Sequence, residues 1–587
     1  MKFWSYDTET TGLNPYKDKM FAFSLCDQDG NSEAYRLDGK DNSDSKIGWK
    51  RLKQFWADKT IGKVCHNLKF DLAITLMTGI EIPDGTVYHD TMIMSRNLNN
   101  LNPSHELGHL AWQHFGWDQE HDELIEKMGK QYNGYQNIPI IQMEKYQHDD
   151  AQRTIILFNV WYEEIYNDPL LTEDYVNEIE LILVTQRMEQ FGIDVDIKNC
   201  NRLITWLEQE LQIVQQQTAE MFKEYINWGS GDQVGRFLYR RLGLPILEYT
   251  EDGKPSTDKD ILLHLRKSNP HPVYDLIFKH RSYTSGLAHI RSYLKLADEN
   301  GIIRPNINTN QARTGRQASN NPNTMNFQKE EALKNPFPVP ARKCFKARYG
   351  HILLMPDYKG IEMRLIVDAC GEEELMEVIN KDGDVHALGA EMFFGERFLN
   401  GDKAIKKVLR SAAKNASFAV AYGAGLGKVA LTLNESIHIA KQGLDRYRGR
   451  FPRIANFTKQ MSTEVKEQGY ISTAFGRKLY IPVNKSYIGA NYRIQHDAAK
   501  VLKHAEVKVD NYSMKKHNYL IRLVNPIHDE LVIAYPRILL PELHKNCFEM
   551  GKLMTNIPQI KVKLEVEWKK TILTWNDAEE FQLRLAA

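Results

Sequence analysis

Short acidic motifs recur along this chain in an order that leaves few folds open. Asp7-Thr8-Glu9-Thr10 comes first, then His66-Asn67-Leu68-Lys69-Phe70-Asp71 and Tyr146-Gln147-His148-Asp149-Asp150. Far downstream, Asp357-Tyr358-Lys359-Gly360-Ile361-Glu362 and His528-Asp529-Glu530 flank a basic stripe, Arg410-x3-Lys414-x3-Phe418-x3-Tyr422-Gly423. Carboxylates this far apart act together only if the fold gathers them, and carboxylates holding divalent cations are a standard device of phosphodiester chemistry. The order describes two separate metal-dependent sites on one chain.

A length of 587 residues exceeds what one core organises, about 250–300 residues, so several domains are expected. The hydrophobic fraction of 42% and charged fraction of 26% are those of an ordinary globular protein. Cys26, Cys65, Cys200, Cys344, Cys370 and Cys547 form no C-x-x-C pair, which argues for reduced thiols and against a zinc finger or disulfide scaffold. The start has no signal-peptide core and no apolar run could span a bilayer, so a cytoplasmic protein without a membrane partner is expected. Net charge is zero, but its distribution is uneven. Leu101 to Glu180 holds 16 acidic residues against 4 basic ones, and Gly301 to Gly350 holds 9 basic against 2 acidic. Phosphate contact needs such a local basic surface rather than a basic average; solvated faces that merely segregate are the bland alternative.

Residues 1–165 read as an α/β unit. Phe3 to Asp7 alternates as a strand, Phe21–Cys26 and Ala34–Leu37 bracket a hairpin turn, and Val64–His66 runs into a helix with Asn67 near its start. Asp196 to Trp228 has a long helical pattern, and the polar loop Thr250 to Thr257 breaks the chain beyond it. Arg304 to Pro340 predicts irregular structure around a basic surface. Ile352–Asp357 predicts a buried strand, Lys403–Tyr422 one continuous helix, and Leu520–Val524 with Leu531–Ala534 a tight hairpin around His528-Asp529-Glu530.

In the N-terminal set, Asp7 and Glu9 lie two apart on a strand and face one side. Tyr146 and Asp150 lie four apart on a helix and deliver a phenol and a carboxylate together. The phenol can orient an attacking water while a carboxylate handles its proton. D-x-E or Y-x3-D alone is more often structural; with Asn67-x3-Asp71 between them the functional reading prevails. The three segments resemble the exonuclease motifs of DnaQ-like 3′→5′ exonucleases, which have an RNase H-like fold. The resemblance implies that Asp7, Glu9, Asp71 and Asp150 are metal ligands, that Tyr146 positions the water, and that Asn67 contacts DNA.

The C-terminal set supplies what phosphoryl transfer from a nucleoside triphosphate needs, which is mostly positioning and charge neutralisation. Asp357 at a strand end and Asp529 at a hairpin tip can hold metals on adjacent strands. Arg410, Lys414, Phe418 and Tyr422 recur every four residues, so two cations and then two aromatics follow one helix face. An ordinary amphipathic helix would carry aliphatics there. These segments resemble motifs A, B and C of family-A DNA polymerases, the bacterial DNA polymerase I type in a compact phage-like form, over nearly the whole chain. The resemblance implies an α/β multidomain protein in which residues 1–165 proofread and residues 166–587 polymerise. The thumb would occupy about 195–300, the palm about 301–370 and 491–587, and the fingers about 371–490. Asp357 and Asp529 match the metal-binding aspartates, with His528 and Glu530 completing the H-D-E triplet, His528 as an implied DNA contact and Glu530 as an implied member of the catalytic set. Glu362 matches the residue that excludes a ribose 2′-hydroxyl. Arg410, Lys414 and His386, within Asp384-Val385-His386, match triphosphate contacts; Phe418 and Tyr422 match the sugar and insertion-pocket residues. Arg316 of Thr314-Gly315-Arg316 matches a primer contact, and Asn491 and Gln495 match minor-groove readers. The implied cofactor is Mg²⁺, two ions per active site, with Mn²⁺ as a substitute. The implied partners are primer–template DNA, dNTPs and candidate helicase or primase proteins, in the host cytoplasm if the chain is phage-encoded.

Lys359-Gly360 after Tyr358, Met325 within Pro322-Asn323-Thr324-Met325-Asn326-Phe327, and Tyr487 depart from the family pattern without touching a metal ligand. No segment before Asp7 offers a 5′-nuclease domain, and the stretch before Pro255 is too short for a large processivity-factor loop. A single-subunit RNA polymerase is disfavoured by Glu362 and the nuclease motifs. A stand-alone nuclease with a degenerate C-terminal half is disfavoured by Asp357, Arg410, Lys414 and Asp529.

Overall fold

The computed structural model describes residues 1–40, 44–325, 327 and 336–583; Asn326 of the template-side segment lies outside them. The N-terminal unit is built on a five-stranded sheet in the order Ser32–Arg36, Met20–Asp27, Lys2–Thr10, Ile61–Cys65, Tyr88–Asp90. The first three strands are antiparallel, and the last two run parallel to Lys2–Thr10. A parallel neighbour requires a crossover, which the helix Ser45–Ala57 supplies. The predicted strand, hairpin and strand–helix junction are all present, each extended by a few residues. The helix Ile140–Tyr166 lies across the sheet and buries Ala151, Ile155, Phe158 and Trp161 in a core with Tyr6, Leu25 and Val64.

The C-terminal unit centres on a second five-stranded sheet, antiparallel throughout, in the order Arg522–Ile527, Glu530–Pro536, His351–Tyr358, Val566–Thr571, Glu579–Glu580. The 29-residue helix Gly489–His517 packs against Ile361–Cys370 and Leu543–Thr555. The helix Lys403–Ala421 sits among Val385–Phe394, Leu426–Leu433 and Pro452–Gln468. Two further helices, Ile197–Phe222 and Val273–Leu296, form an antiparallel pair. The first of these stops short of Trp228. Lys223 takes a left-handed conformation (φ 56°), and the chain folds back so that the Trp228 indole donates to Thr218 Oγ1 at 2.8 Å. Burying that large ring ends the helix earlier than its polar pattern suggests. Among the described residues no helix is long and apolar enough to cross a membrane.

The helix Pro169–Phe191 joins the two units, and its contact with Gly489–His517 is ionic and dry. Lys500 Nζ lies 2.7 Å from Asp174 and 3.2 Å from Glu178, and Lys503 Nζ lies 2.7 Å from Glu178, with all of these side chains fully buried. Asn97 donates to Asp174, Asn310 donates to Asn97, and Arg477 donates to Asn310. The network thus reaches from the N-terminal unit into the C-terminal one. Removing one member of a buried ion pair strands the other, at about 3–5 kcal/mol. Lys500→Met should therefore cost about that much in the denaturant midpoint, and adding Asp174→Asn should restore part of it. A double variant no better than the single would show that packing, not charge balance, holds the seam.

Candidate active sites

In the N-terminal unit the fold gathers every predicted carboxylate. Asp7 and Glu9 lie on the strand Lys2–Thr10, at the centre of the sheet. The adjacent strand Ile61–Cys65 leads into the helix Leu68–Met77, which carries Asp71 in its first turn. Asn67 starts that helix in a left-handed conformation (φ 72°). Thr8 Oγ1 donates to Asp71 Oδ1 at 2.7 Å, tying strand to helix. Asp150 and Tyr146 lie one turn apart on Ile140–Tyr166, with the Asp150 charge acting on the phenol.

These acids are crowded, and all but the partly exposed Asp7 are buried. Burial, reinforced by Asp150 and Asp71, pushes Glu9 up to about 8. Burial raises Asp71 to about 8 despite the Thr8 hydrogen bond. Asp7 is held well above its ordinary range by burial and by Glu9, Asp71 and Asp150. Asp150 rises to about 7 through burial, moderated by Arg153. The Asp150 charge and burial together hold the Tyr146 phenol protonated. Among the described residues no three Asp, Glu, His or Cys side chains form a ready-made ligand cluster. The donor set nonetheless fits hard divalent cations. It is all oxygen, it is mutually repulsive, and Glu9 Oε1 is buried without a hydrogen-bond partner.

Sequence reasoning missed the cation beside this cluster. Arg153, 1% exposed, contacts Asp150 at 3.2 Å and Asp122 at 2.6 Å. It also lies over the Trp117 ring. Its position three residues after Asp150 on a helix was the available signal. Asp90, another buried acid nearby, accepts from the backbone of Asn67, Leu68, Met92 and Ile93, so it caps helices instead of facing the cluster.

The C-terminal carboxylates meet across antiparallel strands. Asp357 pairs in register with Glu530, and the Tyr358 N–H donates to the Asp529 carbonyl at 3.2 Å. His528, exposed and left-handed (φ 57°), makes the turn that carries Asp529. Burial, Glu362 and Asp357 raise Asp529 to about 6, against the pull of Arg316. Arg316 contacts Glu362 at 3.3 Å, so the primer-contact candidate holds the sugar-gate candidate. Glu530 is buried and paired with buried Arg342 at 3.0 Å, which marks a structural anchor beneath the turn. Arg342 escaped sequence reasoning, as did Lys569, whose Nζ lies 4.0 Å from Asp357.

The helix Lys403–Ala421 carries Arg410, Lys414 and Phe418 on one partly exposed face, and Tyr422 follows its end. Arg410 forks onto Asp384 at 2.5 and 3.0 Å. Asp384 also caps the helix Val385–Phe394, in which His386 sits near the Phe418 ring. Burial, together with Lys414 and Arg410, lowers His386 to about 4, so it is neutral at physiological pH. Asn491 and Gln495 lie one turn apart, both partly exposed, at the start of Gly489–His517.

The family model described as DNA polymerase family A matches residues 197–577. The chain belongs to DNA polymerase family A. A 3′-5′ exonuclease family model matches residues 1–165. DNA polymerase I of Pseudomonas aeruginosa is 27% identical over 583 residues, covering 96% of this chain and 62% of that protein. Thermostable DNA polymerase I of Thermus thermophilus is 27% identical over 445 residues, covering 71% of this chain and 50% of that protein. The chain therefore spans between half and two-thirds of the length of these relatives. The POL domain of Pol1 from M. smegmatis, solved with DNA primer-template and dNTP, superposes with a TM-score of 0.83 at 22% identity, covering 98% of this chain and 96% of that one. The fold is thus that of a DNA polymerase I polymerase domain joined to an exonuclease domain. Family-A polymerase and exonuclease domains generally use divalent metal ions.

The crowding of acids makes a testable demand on stability. Glu9 has an ordinary value of 4.5 and a folded value of about 8. A raised carboxyl binds its proton more tightly when folded, so its charging penalty is absent at low pH and grows as pH rises between those values. In EDTA at pH 8, Glu9→Gln should raise the melting temperature by about 2–4 °C, the shift expected from ~1 kcal/mol in a domain of this size. The gain should vanish near pH 4. An equal gain at both pH values would show that charge repulsion is not its source.

Proposed function

We propose that this chain is a template-directed DNA polymerase that adds dNTPs to a primer 3′ end by two-metal phosphoryl transfer and proofreads by 3′→5′ hydrolysis, in the service of DNA replication. The observation that carries the reading is the meeting of Asp357 with Asp529 across adjacent strands, with Glu362 close enough to act on the Asp529 carboxyl. In the matching division, the second sheet is the palm, Lys403–Ala421 belongs to the fingers and the Ile197–Phe222 and Val273–Leu296 pair is the thumb. A compact phage-encoded enzyme and a cytoplasmic setting are consistent with it.

At the polymerase site Asp357 and Asp529 would hold Mg²⁺, which when bound neutralises charge on the reacting phosphate and acidifies the attacking hydroxyl. Arg410 and Lys414 bind the triphosphate as charge-assisted donors. Arg410 exchanges its Asp384 partner for phosphate, and neutral His386 donates a hydrogen bond without adding charge. Phe418 and Tyr422 offer ring faces to the sugar and base. Glu362, steadied by Arg316, fills the space of a 2′-hydroxyl. At the nuclease site Asp7, Glu9, Asp71 and Asp150 would hold the same class of ion. The protonated Tyr146 phenol orients the attacking water, and Arg153 holds Asp150 in place.

Because the two sets of acids lie in different units, their activities should separate. Asp7→Ala with Glu9→Ala should abolish shortening of a labelled primer and leave extension nearly intact, whereas Asp529→Asn should stop extension and spare shortening. Loss of both activities in either folded variant would sink the two-site reading. Glu362→Ala should raise rCTP incorporation relative to dCTP by about tenfold or more, equivalent to ~1.4 kcal/mol of differential barrier; a flat ratio would remove Glu362 as the gate.

A further inference from the structure

The segment Thr314-Gly315-Arg316-Gln317 carries a primer-contact candidate, yet it belongs to neither a helix nor a strand. Backbone without helix or ladder bonds keeps its shape only through what it is packed against. Two side chains of the long helix Gly489–His517, about three turns apart, hold it at both ends. His496 is fully buried, and its Nδ1 lies 3.0 Å from the Thr314 carbonyl. Burial, with Arg477, Lys500 and Lys503, keeps the ring neutral, so its single proton sits on Nδ1 and Nδ1 donates. Gly315 lets the backbone come this close: it is left-handed (φ 75°), and a Cβ there would stand 3.0 Å from His496 Nδ1. At the other end Gln317 Nε2 donates to Glu506 Oε2 at 3.1 Å, and Glu506 is likewise fully buried. Arg316 sits between these two bolts, with its guanidinium 3.3 Å from Glu362.

Glu506 stands apart from the ion cluster on the same helix. Lys503, one turn before it, gives its ammonium to Glu178 instead. Among the described residues Glu506 Oε1 and Gln317 Oε1 are both buried without a hydrogen-bond partner. Two acceptors without a donor are unfavourable, and a proton kept on the carboxyl supplies the donor, since an acid and an amide can share two hydrogen bonds. Burial, with Glu178 of the joining helix and Asp510, raises Glu506 to about 8 against the pull of Gln317 and Lys503. The Tyr358 phenol, the other titratable group beside it, already donates to the Met554 carbonyl at 2.7 Å. With no exposed surface, neither His496 nor Glu506 can touch DNA or a nucleotide. They can only fix the group that does.

We propose that His496 and Glu506 are positioning residues of the polymerase site, which clamp the Thr314–Gln317 segment onto the long helix and so fix Arg316 against the primer end and Glu362. The inference rests on the reading of Arg316 as a primer contact given above. It makes two buried side chains determinants of primer grip and, through the Arg316–Glu362 contact, of sugar choice. It also gives the grip a pH limit. The carboxyl is raised from 4.5 to about 8 in the folded chain, so the acid–amide pairing holds below that value and is lost as the pH rises through it.

Single-nucleotide extension of a matched primer–template would read the KM for DNA, kcat and the ratio of rCTP to dCTP incorporation. Glu506→Leu and His496→Leu should each raise that KM about five- to tenfold and the sugar ratio about two- to threefold, the scale of one lost hydrogen bond. His496→Asn keeps a donor near the Nδ1 position, and Glu506→Gln keeps both halves of the amide pairing without a charge. Both should restore wild-type values at neutral pH. Above about pH 8 the wild-type KM should climb as Glu506 ionises, whereas that of Glu506→Gln should stay flat. In an Arg316→Ala background the leucine changes should add less than about twofold, because they act through that guanidinium. Additive losses, a climb that persists in Glu506→Gln, or melting temperatures that fall in step with the rise in KM would overturn the proposal. If wild type extends the primer but Arg316→Ala alone leaves the KM flat, the primer role of Arg316 falls and takes this inference with it. If Arg316→Ala raises the KM and the leucine variants do not, only this inference falls.

Discussion

The dry ionic contact between Pro169–Phe191 and Gly489–His517 is the constraint on which the arrangement of this protein depends. Lys500, Lys503, Asp174 and Glu178 are fully buried, so their lost hydration is offset by one another and by the amides of Asn177 and Asn97. Such a cluster tolerates little rotation or sliding, because any displacement leaves a charge without a partner. The joining helix therefore holds its register against the long helix Gly489–His517, whose first turns carry Asn491 and Gln495. Through Asn97, Asn310 and Arg477 the same register reaches the segment that ends in Arg316. Hydrophobic packing alone would permit more slippage.

Both candidate sites rest on the opposite use of charge. At the seam, acids and bases balance; at the sites, acids outnumber bases and their affinity for protons rises. Glu9, Asp71 and Asp150 are pushed toward neutral pH, and Asp529 to about 6. Each cluster has a cation at its edge that limits repulsion without filling the centre. Arg153 does this for Asp150, Arg316 for Glu362 and Lys569 for Asp357. Perturbed acids with an oxygen-only donor set are what a divalent cation would relieve, so the mutual repulsion of these acids and the chemistry proposed for them have one cause.

Much of the local structure was legible because local physics decides it. The strand holding Asp7 and Glu9, the helix Lys403–Ala421 and the hairpin around Asp529 follow from periodicity and turn residues, and each lies within a few residues of its expected place. The end of Ile197–Phe222 was not legible, because the reason it stops is a tertiary contact. Trp228 gains more from burial beside Thr218 than from another helical turn. The site acids were legible as a set because their spacing along strands and helices places them on common faces. Their cationic partners were harder to read. Arg342 and Lys569 lie far in sequence from the acids they meet, and only strand pairing brings them near. Arg153 stood within reach as a helical neighbour of Asp150.

The sequence by itself determined which chemistry this chain can hold: which acids, which cations and aromatics on the helix face, and which units carry them. These are matters of residue type and short-range geometry, set by a few torsions per residue. Only the tertiary structure decided how the two units are locked, that Glu530 serves Arg342, and that Arg410 rests on Asp384. Those outcomes depend on contacts between residues as much as hundreds of positions apart. Desolvation there sets the energy of every charge, and no local pattern records what will be buried against what.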